Sequence, residues 1–396
     1  MPVTIIGNVN LVENRTVTPA DIIVDKETIL RIAAPGSVKR QEGHGYIEGK
    51  GLYLSHGFLD IHVHGGGGAD FMDGTEEAWH QIARLHLSHG TTAMVPTTLA
   101  ADSESLLKAF DAFRQCQEGF PDGSRFLGIH VEGPYLSPAQ CGAQDPAYIR
   151  LPDPEEYKRL IQACPKILRW TIAPELPGAL EMGDYLISRG ILPCIGHSDA
   201  TGDQVRMALG HGFGHVTHLY SATSTIVRRQ GFRHTGIVES AYLFAALTSE
   251  IIADGCHLPP DLLQMAFRFI GPDRLCLVTD AMRAAGQEEG ESILGSLETG
   301  QGVIIEDGVA KMPDRQAFAG SICTADRLVR TMARHSGASL AEAVYMATSV
   351  PARILGLSGE TGKVLPGRKA DLVLFDENIN VKMVMTDGKV RVSCLP

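Results

Sequence analysis

No stretch of this chain stays apolar for long. The longest unbroken run, 241–247, falls far short of the ~20 residues that cross a bilayer, which excludes a membrane helix. The cysteines are few and scattered, with no Cys-x-x-Cys pair, and read as reduced packing thiols of a cytosolic protein. Positive charge is in deficit: 35 Lys and Arg stand against 46 Asp and Glu, a formal −11. That balance excludes the basic face a nucleic-acid binder needs. Residues 1–30 hold Glu13, Asp21, Asp25 and Glu27 and no basic-then-apolar leader, so no secretory signal is expected. Neither repeats nor low-complexity tracts occur. With 44% hydrophobic and 20% charged residues, wholesale disorder is also excluded. The expectation is a cytoplasmic protein without membrane or nucleic-acid partners.

Glycine is abundant, at 43 of 396 residues, so tight turns are many and a multi-strand fold is favoured. Both ends of the chain read as short strands separated by turns: 3–6, 21–24, 29–32 and 45–48 at the start, and 371–375, 382–385 and 389–392 at the end. Neither end alone offers enough apolar surface for a core. Both are therefore expected to join in one small β-sandwich domain, residues 1–52 and 357–396.

Between them, short apolar runs alternate with amphipathic stretches. The runs lie at 57–62, 92–97, 126–132, 170–174, 192–197, 215–219, 251–254 and 275–280. Helices are readable at 103–115, 325–335 and 340–346. Eight strand-helix units over 53–356 match a (β/α)8 TIM-type barrel, an α/β fold, with a hairpin inserted near 295–313.

Chemistry-bearing residues fall at the C-terminal ends of these runs: His62 and His64, Glu132, His197, His218, Asp254 with His257, and Asp280. In a barrel those ends converge on one mouth, where active sites form. His62 and His64, two apart on a strand, point to one side and can grip one cation. Glu132, His197 and His218 supply a carboxylate and two imidazoles, a set suited to a catalytic divalent ion with an open position. Such an ion lowers the pKa of bound water to about 7. Asp280 is then the candidate proton acceptor and donor, and His257 the candidate partner of a substrate carbonyl. His130 and His215 lie deeper and read as packing or supporting residues.

The run from Gly57 through His62 and His64 resembles the opening metal motif of the amidohydrolase superfamily. Together with His130-Val-Glu132-Gly-Pro134, Gly196-His197-Ser198, Thr217-His218-Leu219-Tyr220, Asp254-Gly-Cys-His257, Thr279-Asp280-Ala281 and Ala319-Gly320-Ser321, in that order, it resembles the N-acetylglucosamine-6-phosphate deacetylases. The resemblance implies one metal site at Glu132, His197 and His218, a second ion at His62 and His64, Asp280 as base and acid, and His257 on the acetyl carbonyl. It implies a small amino sugar phosphate as substrate and a homodimer, while the His and Glu ligands themselves suit zinc, iron, manganese or cobalt. It also places Gln144, Ser221, Ala222, Arg228, Arg229, Arg233, His257 and Ser321 by the sugar and its phosphate. Departures cluster there. Ser221-Ala222-Thr223 replaces Asn-Ala-Met, Gln144 stands for a histidine, and Arg228-Arg229-Gln230-Gly231 replaces Arg-Glu-Pro-Gly. The alternative substrates are a different N-acetyl sugar phosphate, an N-acyl amino acid or a cyclic amide; a barrel without catalysis is the remaining alternative.

Overall fold

A strand buried on both faces needs cover on both, which a helix-wrapped parallel barrel supplies. In the computed structural model, which describes residues 3–39 and 41–395, eight barrel strands meet this condition. They are Phe58–Val63, Thr91–Thr98, Arg125–Phe126 continued by Ile129–Glu132, Ile167–Ile172, Leu192–Ile195, His215–Val216, Thr248–Ile251 and Leu275–Leu277. All pair in parallel, each with its sequence neighbour. A parallel bridge from Val63 to Ala281 closes the ring beyond the eighth strand. Helices Glu76–Ser88, Ser103–Cys116, Pro154–Ala163, Ala179–Ser188, Gly202–Gly210, Ile237–Leu243, Pro260–Ile270 and Ala325–His335 are distributed along the connections between and after these strands. Their starts are set by side-chain caps where the sequence supplies them: Asp102 accepts from the Ser105 amide at 2.8 Å, and Thr201 and Gln204 form a reciprocal box. No helix among the described residues is long and apolar enough to cross a membrane.

Two strands begin three residues earlier than their apolar runs. The fourth starts at Ile167, not 170, and the seventh at Thr248, not 251. Each contains a charged residue, Arg169 or Glu250, that interrupts the apolar signal while sitting fully buried inside the barrel. The eighth strand ends at Leu277, so Asp280 lies on the loop beyond it.

The barrel interior is polar. Asp60 and His62, His130 and Glu132, Arg169 and Thr171, His215 and Thr217, and Glu250 are buried at alternating positions of their strands. They satisfy one another: His130 bridges the hydroxyls of Thr97 (3.2 Å) and Thr171 (2.7 Å), and Thr171 meets Thr217 at 2.8 Å.

The chain ends share one eight-stranded sheet. Its order runs from the C-terminal strands Lys389–Ser393, Val381–Thr386 and Leu372–Phe375, through Tyr53–His56, to Thr4–Glu13, Thr16–Asp25 and Thr28–Ala33, with Gly45–Glu48 beside Thr4–Glu13. Ile6, Ile22, Leu54, Leu372 and Met383 from both ends occupy one apolar cluster. Tyr53–His56 belongs to this sheet although it lies past residue 52. The insertion contains the expected hairpin, Gln301–Glu306 with Val309–Lys311, and a further strand, Gly290–Leu294, extends it into a three-stranded antiparallel meander. The 295–300 segment expected inside the hairpin is instead the turn between its first two strands.

Candidate active site

Strand ends and the turns after them bring six donors together at the barrel mouth. Glu132 Oε1 lies 3.4 Å from His197 Nε2 and 3.0 Å from His218 Nε2, and those nitrogens are 3.1 Å apart. His62 Nε2 and His64 Nε2 are 3.2 Å apart, and Asp280 Oδ1 lies 3.4 and 3.2 Å from them. Glu132 joins the two sets, with Oε1 3.4 Å from His62 and Oε2 3.3 Å from His64. Two ligands of one tetrahedral ion with bonds near 2.1 Å stand ~3.3 Å apart, the spacing seen here.

The chemistry of the donors fits a cation equally well. The Nδ1 atoms of His197 and His218 face the backbone carbonyls of Gln140 (3.0 Å) and Ser221 (3.1 Å), which only accept. His62 Nδ1 faces Glu250 Oε2 at 3.0 Å. Each ring thus donates through Nδ1 and turns its Nε2 lone pair inward. Converging lone pairs repel unless a cation sits among them. Burial alone would raise the Glu132 and Asp280 carboxyls, yet the imidazoles around them hold both below their ordinary values. Burial would lower His64, yet hydrogen bonds to Asp280 and Glu132 push it up to about 9. The cage favours positive charge. His62, Glu132 and His218, and likewise His62, His64 and Asp280, can each hold a metal ion.

Three of these residues sit on unusual backbone. His197, His218 and Asp280 have φ of 47°, 27° and 46°, a region non-glycine residues rarely adopt. The close packing that turns them inward needs small neighbours. A Cβ at Gly196 would meet Thr171 at 2.7 Å, and one at Gly320 would meet the Asp280 carbonyl at 2.7 Å.

A cavity of about 270 Å³ opens above the donors. Leu99, Ala143, Gln144, Ser221, Ala222, His257, Leu294, Phe318 and Gly320 line it. Asp254 accepts from His257 Nδ1 (2.9 Å) and from its backbone amide (2.9 Å), fixing the ring, which also meets the edge of Phe318 at 4.9 Å between centroids. Gln144 accepts from the Ala100 amide and donates to Glu132 Oε2, both at 2.8 Å.

The remaining expected residues are elsewhere. Arg228, Arg229 and Arg233 lie on an exposed hairpin, Val227–Arg229 with Phe232–His234, and line no part of the cavity. Arg228 pairs with Arg233 and Arg229 with Phe232 across this two-stranded ribbon, and this chain does not turn the arginines into its own site. Ser321 is fully buried, and its hydroxyl donates to the Thr279 carbonyl at 2.5 Å, leaving it none for a ligand. No lysine or arginine is among the lining residues.

Sequence reasoning missed the support beneath the donors. Glu250 holds His62, the His218 amide (3.1 Å), His215 Nε2 (3.2 Å) and Arg169. Glu175 accepts from the Ser198 hydroxyl and the Asp199 amide, both at 2.6 Å, fixing the turn after His197. The available signal was a carboxylate or guanidinium within an otherwise apolar strand.

The sequence matches the amidohydrolase family over residues 53–391. A deacetylase of N-acetylglucosamine 6-phosphate from Lysinibacillus sphaericus is 35% identical over 89% of this chain and 88% of its own length. An N-acetylgalactosamine-6-phosphate deacetylase from Escherichia coli O157:H7 is 32% identical over 85% of this chain and 87% of its own. The structure of an Asp-to-Ala mutant of N-acetyl-D-glucosamine-6-phosphate deacetylase from Mycobacterium smegmatis, in complex with N-acetyl-D-glucosamine 6-phosphate, superposes with a TM-score of 0.90 at 31% identity, covering 99% of this chain and 100% of that one. With the parallel barrel and its mouthful of converging imidazoles and carboxylates, these likenesses mean that the chain belongs to the amidohydrolase family, within the N-acetylglucosamine-6-phosphate deacetylase group.

Proposed function

We propose that this chain is a metal-dependent hydrolase that removes the acetyl group of an N-acetylated hexosamine 6-phosphate, N-acetylglucosamine 6-phosphate before others, leaving the free amine and acetate. The observation that carries this reading is the cavity in which His64, Glu132, His197, His218 and Asp280 share the lining with His257, with His62 buried directly beside them. Glu132, His197 and His218 would hold one divalent ion; His62 and His64, with Glu132 and Asp280, a second. Zinc is the first choice for imidazole and carboxylate ligands, with iron, manganese and cobalt behind it. A bound ion polarises the amide carbonyl and makes water acidic enough to attack near neutral pH.

The chain's own groups do the rest. Asp280 takes the proton of the attacking water and delivers it to the amide nitrogen as the carbon–nitrogen bond breaks. His257 donates to the carbonyl oxygen as negative charge grows there. Because Nδ1 is engaged by Asp254, that donation uses Nε2–H. Phe318 and Leu294 supply the apolar wall against which a sugar face can lie.

The phosphate needs a cation that this cavity does not offer. We assign it to Arg228, Arg229 or Arg233 of a second copy, which makes a homodimer part of the proposal. The working division of the chain is a terminal β-domain, 1–56 and 357–396, flanking the 57–356 barrel, in the cytoplasm. A second substrate is favoured by one observation: Ser221 and Ala222, which line the cavity, belong to the segment that departs from the group's pattern, and a relative acts on N-acetylgalactosamine 6-phosphate.

Acetate release decides the matter. The expected order of kcat/KM is N-acetylglucosamine 6-phosphate, then the galactosamine isomer, then N-acetyl sugars without phosphate and N-acyl amino acids. A preference for an uncharged or non-sugar amide would overturn the reading.

A further inference from the structure

We infer that Glu250 is a positioning residue that couples the two halves of the ion-binding cage, so that its carboxylate governs how tightly both ions are held. The inference rests on the two-ion reading above. Glu250 touches neither the cavity nor either inward-facing Nε2. It lies on the seventh barrel strand, fully buried, beneath the donors.

One of its oxygens serves both ion sets. Oε2 accepts from His62 Nδ1–H at 3.0 Å and from the His218 backbone amide at 3.1 Å. The first contact fixes the ring orientation and tautomer that aim His62 Nε2 at His64 and Asp280, and it raises the basicity of that nitrogen. The second pins the residue whose φ of 27° is costly for any side chain. Released from it, the His218 turn would relax and carry the ring away from Glu132. The other oxygen, Oε1, is taken by Arg169 and by His215 Nε2 at 3.2 Å. Arg169 is itself tethered to the Ile61 carbonyl (3.3 Å) and the Thr217 hydroxyl (3.2 Å), on the strand before His62 and beside His218. The carboxylate thus has every lone pair occupied and no freedom to swing. A buried ion pair of this kind is weak evidence for stability, but it holds geometry well.

The test is a titration of metal-free protein with Co²⁺ alone, following its visible absorption, with a competing chelator and metal counted per chain. It needs no turnover. Wild type is expected to take up two ions. Glu250→Gln loses acceptance at one of its contacts and is expected to bind 10–100-fold more weakly, with the ion at His62 lost first and an altered cobalt spectrum. Because Glu250→Gln leaves Arg169 unpaired, the Arg169→Met/Glu250→Gln double variant restores charge balance and is expected to keep the same loss. It carries the test where the single variant does not fold. His64→Gln is the reference: His64 belongs to only one of the two sets, so this variant is expected to remove one ion and spare the other. Two ions bound by Glu250→Gln or by the double variant with wild-type affinity and spectrum would overturn the inference, as would weakening confined to the His62 ion, since coupling requires both. Uptake as expected, with no acetate released from any acetylated sugar phosphate, would instead refute the proposed reaction and leave the role of Glu250 standing.

Discussion

Asp280 combines two costs in one residue: a buried carboxylate and a left-handed backbone at φ 46°. Nothing in the fold needs a side chain there, whereas proton transfer does. Asp280→Asn is accordingly expected to lower kcat by about 10²–10⁴-fold with the fold intact, measured by acetate release beside a circular dichroism spectrum. The backbone cost is separable. Asp280→Gly should be more stable than Asp280→Ala by about 1 kcal/mol in denaturant titrations of metal-free protein, because only glycine occupies that conformation freely. His257→Gln should cost roughly 10²–10³-fold in kcat while leaving metal content unchanged, as befits a group that faces substrate and not the ion. Most of these residues were legible beforehand. Their positions at the ends of apolar runs marked one barrel face without any contact being known. Ser321 was placed by the site on its motif alone, and a motif does not say where a hydroxyl points: Gly320 lines the cavity while the Ser321 hydroxyl turns to the Thr279 carbonyl.

At the scale of elements, the segment between Glu132 and the helix Pro154–Ala163 is tied near both its ends, at Tyr135 and Arg150, by one carboxylate. Glu156, on the helix Pro154–Ala163, binds Arg150 through both oxygens (2.7 and 3.0 Å) and accepts from Tyr135 at 2.9 Å; Ser103, at the head of another helix, joins them. Burial would raise the Glu156 carboxyl, but Arg150, Ser103 and Tyr135 bring it from 4.5 to about 2. The folded value is the lower one, so the network stabilises fully above pH 4.5 and its contribution fades as pH falls toward 2. Glu156→Gln should be less stable than wild type at pH 7 by about 1–2 kcal/mol, a figure reduced for solvent screening, with the gap closing over that acid range in urea melts. The strands carrying Arg169 and Glu250 were cut short in the sequence because a charge in an apolar run reads as a boundary. Only the neighbouring strands, far off along the chain, supply the partners that make burial of those charges tolerable. The insertion was half legible for a related reason: its turns are plain, but three short half-exposed strands resemble two.

For the molecule as a whole, the metal cage and the barrel's polar interior form one continuous network, so binding and stability are linked. Removing divalent ions with a chelator should lower the melting temperature. Re-addition at a hundred times the dissociation constant should restore about 2.7 kcal/mol for each ion bound, followed by calorimetry. The proposed completion of the site by a second copy also predicts that specific activity on phosphorylated substrates falls on dilution, in step with dissociation followed by sedimentation. The barrel was legible because its eight runs recur at regular spacing. The joint sheet was legible in outline, since neither end could bury itself.

That sheet has a consequence for biosynthesis. Its two halves meet where Tyr53–His56 pairs with Leu372–Phe375, and only Gly57 separates the former from the first barrel strand. A ribosome releases the early strand hundreds of residues ahead of its mate. Until translation reaches that mate, the nascent polypeptide carries an apolar, unpaired margin next to the half-made catalytic scaffold, a natural landing place for a chaperone and a weak point for any C-terminally shortened version.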